Sequence, residues 1–298
     1  MGYHNPVLLK ESVDGLEIEA EGIYVDVTFG GGGHSREILK RLGKEGRLYA
    51  FDQDEEAFQN VIQDDRFELI KGNFKYIKRF LRVNGVTKVN GILADLGVSS
   101  HQFDVAERGF STRFDALLDM RMDASGGVSA LDVINSYDEK SLQNIFFSYG
   151  ELRNAKALAK TIIEARLEQP IRTSFQLKDV LKKFLPQNKE HKIMAQIFQA
   201  IRIEVNQELE VLKEFLLQTP DLLKSNGKLS VISYHSLEDR LVKRFIKNGD
   251  FNSEPEKDFF GNTQTPFKKP EKLIVPSKEE IKLNNRARSA KLRIVALK

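Results

Sequence analysis

Four consecutive glycines, Gly30 to Gly33, follow a β-branched and aromatic run and precede a stretch of helical character. Glycines let backbone amides approach a ligand closely, and the N-terminus of a helix favours a carboxylate or a phosphate. Asp52 stands at the end of the next predicted strand, where a carboxylate can accept hydrogen bonds from ribose hydroxyls. These residues predict a site for a nucleoside-containing cofactor. The alternative role for Asp52 is to cap the following helix, which Asp54 could also do.

Two cofactor classes fit this arrangement. A nicotinamide dinucleotide is typically bound by G-x-G-x-x-G, whereas Ser35 occupies the third glycine position here, and a helical stretch interrupts the later strands. S-adenosylmethionine carries a ribose for Asp52 and a carboxylate for the loop amides, but no pyrophosphate. A P-loop is disfavoured because no lysine follows the glycines. The loop alone leaves both cofactors open.

The fourth predicted strand ends in Ala94-Asp95-Leu96-Gly97-Val98-Ser99-Ser100-His101-Gln102. Ligands of open α/β sheets bind outside the carboxyl ends of the strands, so Asp95 is the leading catalytic candidate. Its alternative role is that of a structural carboxylate capping the loop. Ser99, Ser100 and Gln102 could hold a base or the polar end of the cofactor.

The fifth predicted strand ends at Tyr234-His235, which places both side chains at the same edge of the sheet. We expect Ser236 to be the N-cap of the following helix, with Asp239 three residues on. No G-x-S-x-G elbow surrounds Ser236, which argues against a hydrolase triad.

Alternating strands and helices must position these residues. The parallel α/β pattern returns after an interruption, and Leu273–Val275 and Leu292–Leu297 are candidates for the last strands. The other predicted strands are Ile23–Phe29, Arg47–Phe51, Phe67–Lys71, Gly91–Leu96 and Lys228–Tyr234, with helices over Ser35–Leu42, Glu55–Ile62 and Phe74–Val83 and from Ser236 to about Phe245.

The interruption has two parts. A polar, loop-like stretch runs to about Val128, and helical signals extend from Asp138 to about Leu217. The strongest is an apolar stripe with helical spacing, which we interpret as core packing. We therefore predict a discontinuous domain of residues 1–105 and 207–298, with an inserted helical, substrate-recognition domain of residues 106–206. The stripe comprises Ile193, Ile197, Ile201, Val205, Leu209, Leu212 and Leu216.

The composition is 41% hydrophobic and 30% charged, which is typical of a globular protein. Absence of cysteine excludes disulfides, thiolate nucleophiles and cysteine-based zinc sites, and the five histidines show no close ligand spacing. No membrane partner or export is predicted, and a cytoplasmic location fits. The segment from Lys268 to Lys298 holds ten Lys and Arg but three Asp and Glu, which hints at a polyanionic partner. Oligomeric state is left open, with a homodimer as one option.

Together these segments resemble the RsmH (MraW) family of small-subunit rRNA cytosine methyltransferases over nearly the whole chain. The resemblance rests on seven segments: His4 with Pro6-Val7-Leu8-Leu9, Gly32-Gly33-His34-Ser35, Asp95-Leu96-Gly97-Val98-Ser99-Ser100, Glu107-Arg108-Gly109-Phe110-Ser111, Leu118-Asp119-Met120-Arg121-Met122-Asp123, Phe198-Gln199-Ala200-Ile201-Arg202-Ile203 and His235-Ser236-Leu237-Glu238-Asp239-Arg240. The sequence departs from the family pattern at Gly31, where a larger residue is often found, and at His101, where proline is common.

The resemblance implies an α/β fold, a Rossmann-like S-adenosylmethionine-dependent methyltransferase sheet with an inserted helical domain. It implies N4-methylation of a cytidine, position 1402, in the decoding region of 16S rRNA within the small ribosomal subunit. Asp95 is the candidate catalytic residue, and the S-adenosylmethionine site would be lined by Gly32, Gly33, His34, Asp52, Phe74, Asp95 and Gln102.

The implied chemistry agrees with the residues. The exocyclic amine of cytosine is a poor nucleophile because its lone pair is delocalised, so an acceptor near the amine must receive its proton. Asp95 or neighbouring carbonyls could do this, although the acidic, Ser or Asn residue followed by two prolines and an aromatic, usual in amine methylases, is absent. We further expect an extruded base, with the segment from Lys268 contacting phosphates. The competing hypotheses are a nicotinamide-dependent oxidoreductase and a non-catalytic RNA-binding factor.

Overall fold

The computed structural model describes residues 6–251, 259 and 265–298, so His4 of the first motif lies outside the described residues. The chain divides into two compact units, residues 1–97 with 209–298 and residues 98–208. The predicted insertion of residues 106–206 falls within the second unit, which also includes residues 98–105. Its role in substrate recognition stays a prediction.

The first unit is built on a six-stranded sheet with the strand order β3-β2-β1-β4-β5-β6. The first five strands are parallel, and the last pairs antiparallel to β5. The predicted α/β fold class is therefore confirmed. The strands are β1 Ile23–Asp26, β2 Arg47–Asp52, β3 Phe67–Lys71, β4 Val89–Asp95, β5 Leu223–Ser233 and β6 Lys291–Ala296.

Twelve α-helices lie within the described residues. The helices of the first unit are α1 Leu9–Asp14, α2 Gly33–Arg41, α3 Ile77–Val83, α10 Glu208–Leu222, of which Glu208 belongs to the second unit, α11 Ser236–Asn248 and α12 Lys278–Leu283. Those of the second unit are α4 Ser100–Asp104, α5 Ala130–Ser136, α6 Glu139–Ser148, α7 Ala155–Glu168, α8 Ser174–Val180 and α9 Glu190–Asn206.

Helices cover both faces of the sheet, as its apolar strands require. The central strand β4 is buried over most of its length. One core cluster joins the sheet to α3, α10 and α11 through residues such as Ile77, Phe215 and Phe245. Another joins it to α1 and α2 through residues such as Val13 and Ile38. The sheet is thereby held rigidly between two layers, and its carboxyl edge can position side chains accurately.

The apolar stripe does not belong to one helix or to one unit. Gln207 adopts a left-handed conformation with φ 51°, ending α9 before α10 begins. Ile197 and Ile201 pack in the core of the second unit. Leu212 and Leu216 pack instead in the core of the sheet. The prediction that the stripe packs in a core is confirmed, and it serves two cores, one in each unit.

Three other local predictions differ from the structure. The predicted helix Glu55–Ile62 is the shorter 3₁₀ helix Glu55–Asn60, whose N-cap is Asp54. The run Leu273–Val275 forms no strand, and only Ile274 makes an isolated bridge to Leu292. The stretch expected to be loop contains α4, whose N-cap Ser99 bonds to the backbone amide of Gln102. By contrast, Leu292–Leu297 largely coincides with β6, as predicted.

Among residues 6–251, 259 and 265–298, no helix combines the length and the apolar character needed to cross a lipid bilayer.

Candidate donor and catalytic site

The glycine loop is held by hydrogen bonds from both of its flanks. Gly30 has φ 50°, and its amide donates to Asp52 Oδ2 at 2.8 Å. The Asn60 side chain donates to the Gly30 carbonyl at 3.1 Å, and Arg36 donates to the Gly31 carbonyl at 2.6 Å. These contacts fix the loop where β1 gives way to α2, as the sequence predicted.

Gly32 and Gly33 are required by the close packing of the loop. Gly32 is the N-cap of α2 with φ 74°, a conformation that favours glycine. A Cβ atom on Gly33 would lie 2.1 Å from Cγ of Pro6. The first turn of α2 leaves the amides of Gly33, His34 and Ser35 without acceptors within the helix. These donors, with the helix dipole, suit a carboxylate such as that of a methionine moiety.

Asp52 organises the loop at the carboxyl end of β2. Its Oδ1 accepts the Asp54 amide at 2.8 Å, while its Oδ2 accepts the Gly30 amide. The alternative role as a helix cap belongs to Asp54, whose side chain accepts the Glu56 amide. Each carboxylate oxygen retains a second lone pair, which a ribose hydroxyl could use. Burial raises the pKa of Asp52 to about 6 in spite of its two amide donors.

Asp95 lies at the carboxyl end of the central strand, with two hydrogen-bonded neighbours and one nearby imidazole. Its backbone amide donates to Thr28 Oγ1 at 2.6 Å, which ties β4 to the glycine loop. The Tyr234 hydroxyl donates to Asp95 Oδ1 at 2.8 Å. Nδ1 of His34 lies 3.8 Å from Asp95 Oδ2. The structure thus brings together two strand ends and the start of α2 around one carboxylate.

The electrostatics of this group favour a carboxylate that can gain a proton. Burial raises the pKa of Asp95 to about 6, although His34 and the Tyr234 hydroxyl both act to lower it. Burial lowers the pKa of His34, while the neighbouring Asp95 charge acts to raise it. The pKa of Tyr234 lies well above its usual value because of burial and the neighbouring Asp95 charge. Tyr234 is therefore a hydrogen-bond donor to Asp95 rather than a base.

His34 offers a second place for a proton. Its Nε2 lies 3.3 Å from the Val7 carbonyl, and in the neutral ring Nε2 then carries the hydrogen. Nδ1 is left with a lone pair that faces the Asp95 carboxylate. Both groups can therefore act as proton acceptors on this side of the site.

Two residues that the sequence reasoning left without a role support the site. Asp26 is fully buried and accepts the Ser35 hydroxyl at 2.7 Å and the Thr28 amide at 3.1 Å, and burial raises its pKa. Glu238 accepts the backbone amide of Tyr234 at 2.9 Å and that of His235 at 3.3 Å. The prediction that Ser236 is the N-cap of α11 was wrong. The sequence signal that could have identified Glu238 is its position three residues after His235. His235 is the N-cap of α11, and Glu238 completes its capping box.

Phe74 and Gln102 have local packing and capping contacts. Phe74 begins the 3₁₀ turn Phe74–Tyr76 after β3, where it is partly buried and contacts the Phe215 ring edge-on at 5.3 Å. Gln102 belongs to the second unit. Its Oε1 accepts the Ser99 amide at 3.0 Å in the capping box of α4. Their predicted contacts with a cofactor stay predictions.

The basic segment from Lys268 is part of the folded unit. Lys291 and Arg293 on β6 form ion pairs with Asp239 at 3.0 and 2.8 Å. The prediction that Asp239 takes part in capping α11 was therefore wrong. Asp239 instead joins that helix to the last strand. Contact of this segment with phosphates stays a prediction.

Comparison with known proteins identifies the family. The model of the MraW methylase family matches residues 1–298. The ribosomal RNA small subunit methyltransferase H of Flavobacterium johnsoniae is 66% identical over 99% of this chain and 97% of its own length. The protein of the same name from Cytophaga hutchinsonii is 59% identical over 98% of each chain. A solved structure of an rRNA methylase from Streptococcus thermophilus shares 14% identity over 96% of this chain and 94% of its own, with a TM-score of 0.42. The chain therefore belongs to the MraW methylase family, whose methyl donor is S-adenosylmethionine.

Proposed function

We propose that this chain transfers a methyl group from S-adenosylmethionine to N4 of a cytidine in the decoding region of 16S rRNA. The relatives are named as methyltransferases of small-subunit ribosomal RNA, which supports the substrate. A ribosomal substrate also fits a cytoplasmic enzyme that acts on the small subunit. The observation that carries the proposal is the Asp95 carboxylate, held by Tyr234 and His34 beside the glycine loop.

The residues at the carboxyl edge of the sheet suit the donor. We assign the amides of Gly33 and His34 to its carboxylate, since they begin α2 and lack helical acceptors. Gly32, whose own amide donates to the Phe29 carbonyl at 2.7 Å, lines the same site through its close backbone approach. Asp52 has lone pairs left for the ribose hydroxyls. Phe74, which follows β3, offers a ring for apolar contact with the donor, whereas a donor contact of Gln102 stays what the family resemblance implies.

The reaction requires alignment and one proton acceptor. S-adenosylmethionine supplies an activated sulfonium methyl group. Methylation would form a bond between N4 and the methyl carbon, break the carbon–sulfur bond with its electrons left on sulfur, and release one proton from N4. We assign that proton to Asp95, whose pKa of about 6 leaves it largely ionised at pH 7 yet basic enough to accept. His34 Nδ1, facing Asp95, can share the proton afterwards.

The decisive test is transfer of labelled methyl from S-adenosylmethionine to unmodified small subunits and, separately, to naked 16S rRNA. We expect the label in N4-methylcytidine, identified by nucleoside mass spectrometry. Asp95→Asn should lose most of this transfer while still binding S-adenosylhomocysteine.

Asp65→Asn is the matched control, because Asp65 is an exposed carboxylate of the same unit. Label in another nucleoside would refute N4 chemistry. Full activity of Asp95→Asn would refute the proton role of Asp95. Donor binding without any transfer would favour the non-catalytic alternative.

A further inference from the structure

The turn Phe74–Tyr76 and helix α3 present four cations on one side: Lys75, Lys78, Arg79 and Arg82, here called the α3 basic face. They are three or four residues apart, so they neighbour one another along the helical surface. The opposite side of the helix buries Ile77 and Leu81 in the core of the sheet. Packing against the core therefore leaves the basic side accessible.

The α3 basic face carries positive charge that the stability of the helix does not require. No acidic residue occurs between Phe74 and Val83. Like charges three or four residues apart destabilise a helix. Asp221 of α10 forms an ion pair with Lys78. The pKa of Asp221 is lowered by Lys78 first and also by Lys88 and Arg82, so one carboxylate lies among several cations.

A shallow surface depression lies on this face, lined by its four cations together with Tyr76, Val83 and Gln218. Tyr76 is 47% exposed and Val83 is 80% exposed. The Lys75 ammonium lies 5.0 Å from the centroid of the Tyr76 ring. Cations beside an exposed aromatic ring are the combination that suits a nucleic-acid backbone with an accessible base.

The position of the face relates it to the proposed reaction. It begins at Lys75, directly after Phe74, which follows the carboxyl end of β3. The other basic segment, from Lys268 onward, uses Lys291 and Arg293 in ion pairs with Asp239. The α3 basic face differs in its position, because it directly follows Phe74, which we assign to the donor site.

We propose that the α3 basic face binds the phosphate backbone of an rRNA segment adjacent to the target nucleotide. The identity of the RNA rests on the proposed function, but the polyanion surface does not. Phosphate contacts position a nucleic acid and carry no base specificity, so this surface would set affinity and register.

The test measures binding of a 16S rRNA decoding-region fragment over a series of salt concentrations. In Arg79→Gln/Arg82→Gln, we expect the dissociation constant to rise about 10-fold near 0.1 M salt, and the slope of log affinity against log salt to weaken by about 1 to 2. Binding of S-adenosylhomocysteine should be unchanged. The matched control is Lys10→Gln/Lys44→Gln, which removes two exposed charges elsewhere in the same unit and should change the slope little.

Each outcome separates this inference from the proposed function. Unchanged affinity and slope in Arg79→Gln/Arg82→Gln would overturn the inference even if the wild-type chain methylates rRNA. An equal loss in the control variant would overturn it too, since net charge would then explain the binding. Weakened binding to assembled subunits but not to naked RNA would overturn it in favour of a protein partner. A specific loss of RNA binding would support it even if no methyl transfer were found.

Discussion

Replacing Tyr234 by Phe should shift the pH dependence of methyl transfer. The hydroxyl of Tyr234 donates to Asp95 Oδ1 at 2.8 Å and acts to lower the pKa of Asp95, which is about 6. A hydrogen bond to a charged group contributes about 1.5 to 3 kcal/mol, and 1.36 kcal/mol corresponds to one pKa unit. Loss of the bond should therefore raise the pKa of Asp95 by about one to two units.

The expected sign follows from the active form of Asp95. The ionised carboxylate accepts the proton, so activity falls as the pH drops through the pKa. With a pKa of about 6, roughly nine-tenths of Asp95 is ionised at pH 7, whereas a pKa of about 7 to 8 leaves about half to a tenth ionised. Tyr234→Phe should thus be about 2-fold to 10-fold slower at pH 7 and nearly normal at pH 9.

The assay is kcat/KM for the methyl donor from pH 5 to pH 9.5, because kcat/KM reports the pKa values of the free enzyme. Tyr137→Phe is the matched control, since the Tyr137 hydroxyl donates to Glu204 Oε1 at 3.0 Å within the second unit. An unshifted acid limb in Tyr234→Phe, or a loss of activity equal at every pH, would refute the proton role assigned to Asp95.

Three further perturbations test other parts of the site. Asp52→Ala should weaken donor affinity by about 1.5 to 3 kcal/mol, measured by calorimetry, and unchanged affinity would restrict Asp52 to ordering the loop. Gly33→Ala should lower stability to urea by about 1 to 3 kcal/mol, because its Cβ would lie 2.1 Å from Pro6, whereas Gly126→Ala, with open space around its Cβ, is the control. Asp95→Asn should unfold at a higher temperature than the wild type at pH 8. The raised pKa means that ionised Asp95 opposes folding, with a penalty that grows between about pH 4 and pH 6 and reaches at most about 3 kcal/mol. An equal or lower unfolding temperature at pH 8 would contradict this account.

Short-range patterns in the sequence predicted most of the sheet and the position of Asp95. The strand Phe67–Lys71 and the stretch before Asp95 are apolar runs that end at polar residues, so both position and direction could be inferred. Asp95 at the end of a central strand followed from the rule for open α/β sheets. These features depend on neighbours in the chain, which is why the sequence alone was sufficient.

The features that were missed depend on contacts between distant residues. The bond of Tyr234 to Asp95 spans 139 residues, and no local signal pairs them. Asp239 was assigned to a helix cap because Lys291 and Arg293, its partners, lie more than 50 residues away in sequence. The left-handed conformation of Gln207 ends α9 without a glycine or proline to mark it, so the apolar periodicity ran on into α10. Such breaks are set by tertiary packing.

The strand order has a consequence for how this protein folds while the ribosome synthesises it. Strand β4 is central in the finished sheet, yet its partner β5 is made only after the whole second unit, residues 98–208. At ordinary rates of synthesis, about 5 to 20 residues per second, a four-stranded sheet would present an open β4 edge for several seconds at least. An unpaired apolar edge of this kind invites association with other chains. Prompt folding of the second unit would shorten the flexible chain between β4 and β5 and lower the entropic cost of pairing the two strands. The insertion therefore also affects how long the nascent chain is exposed to association with other chains.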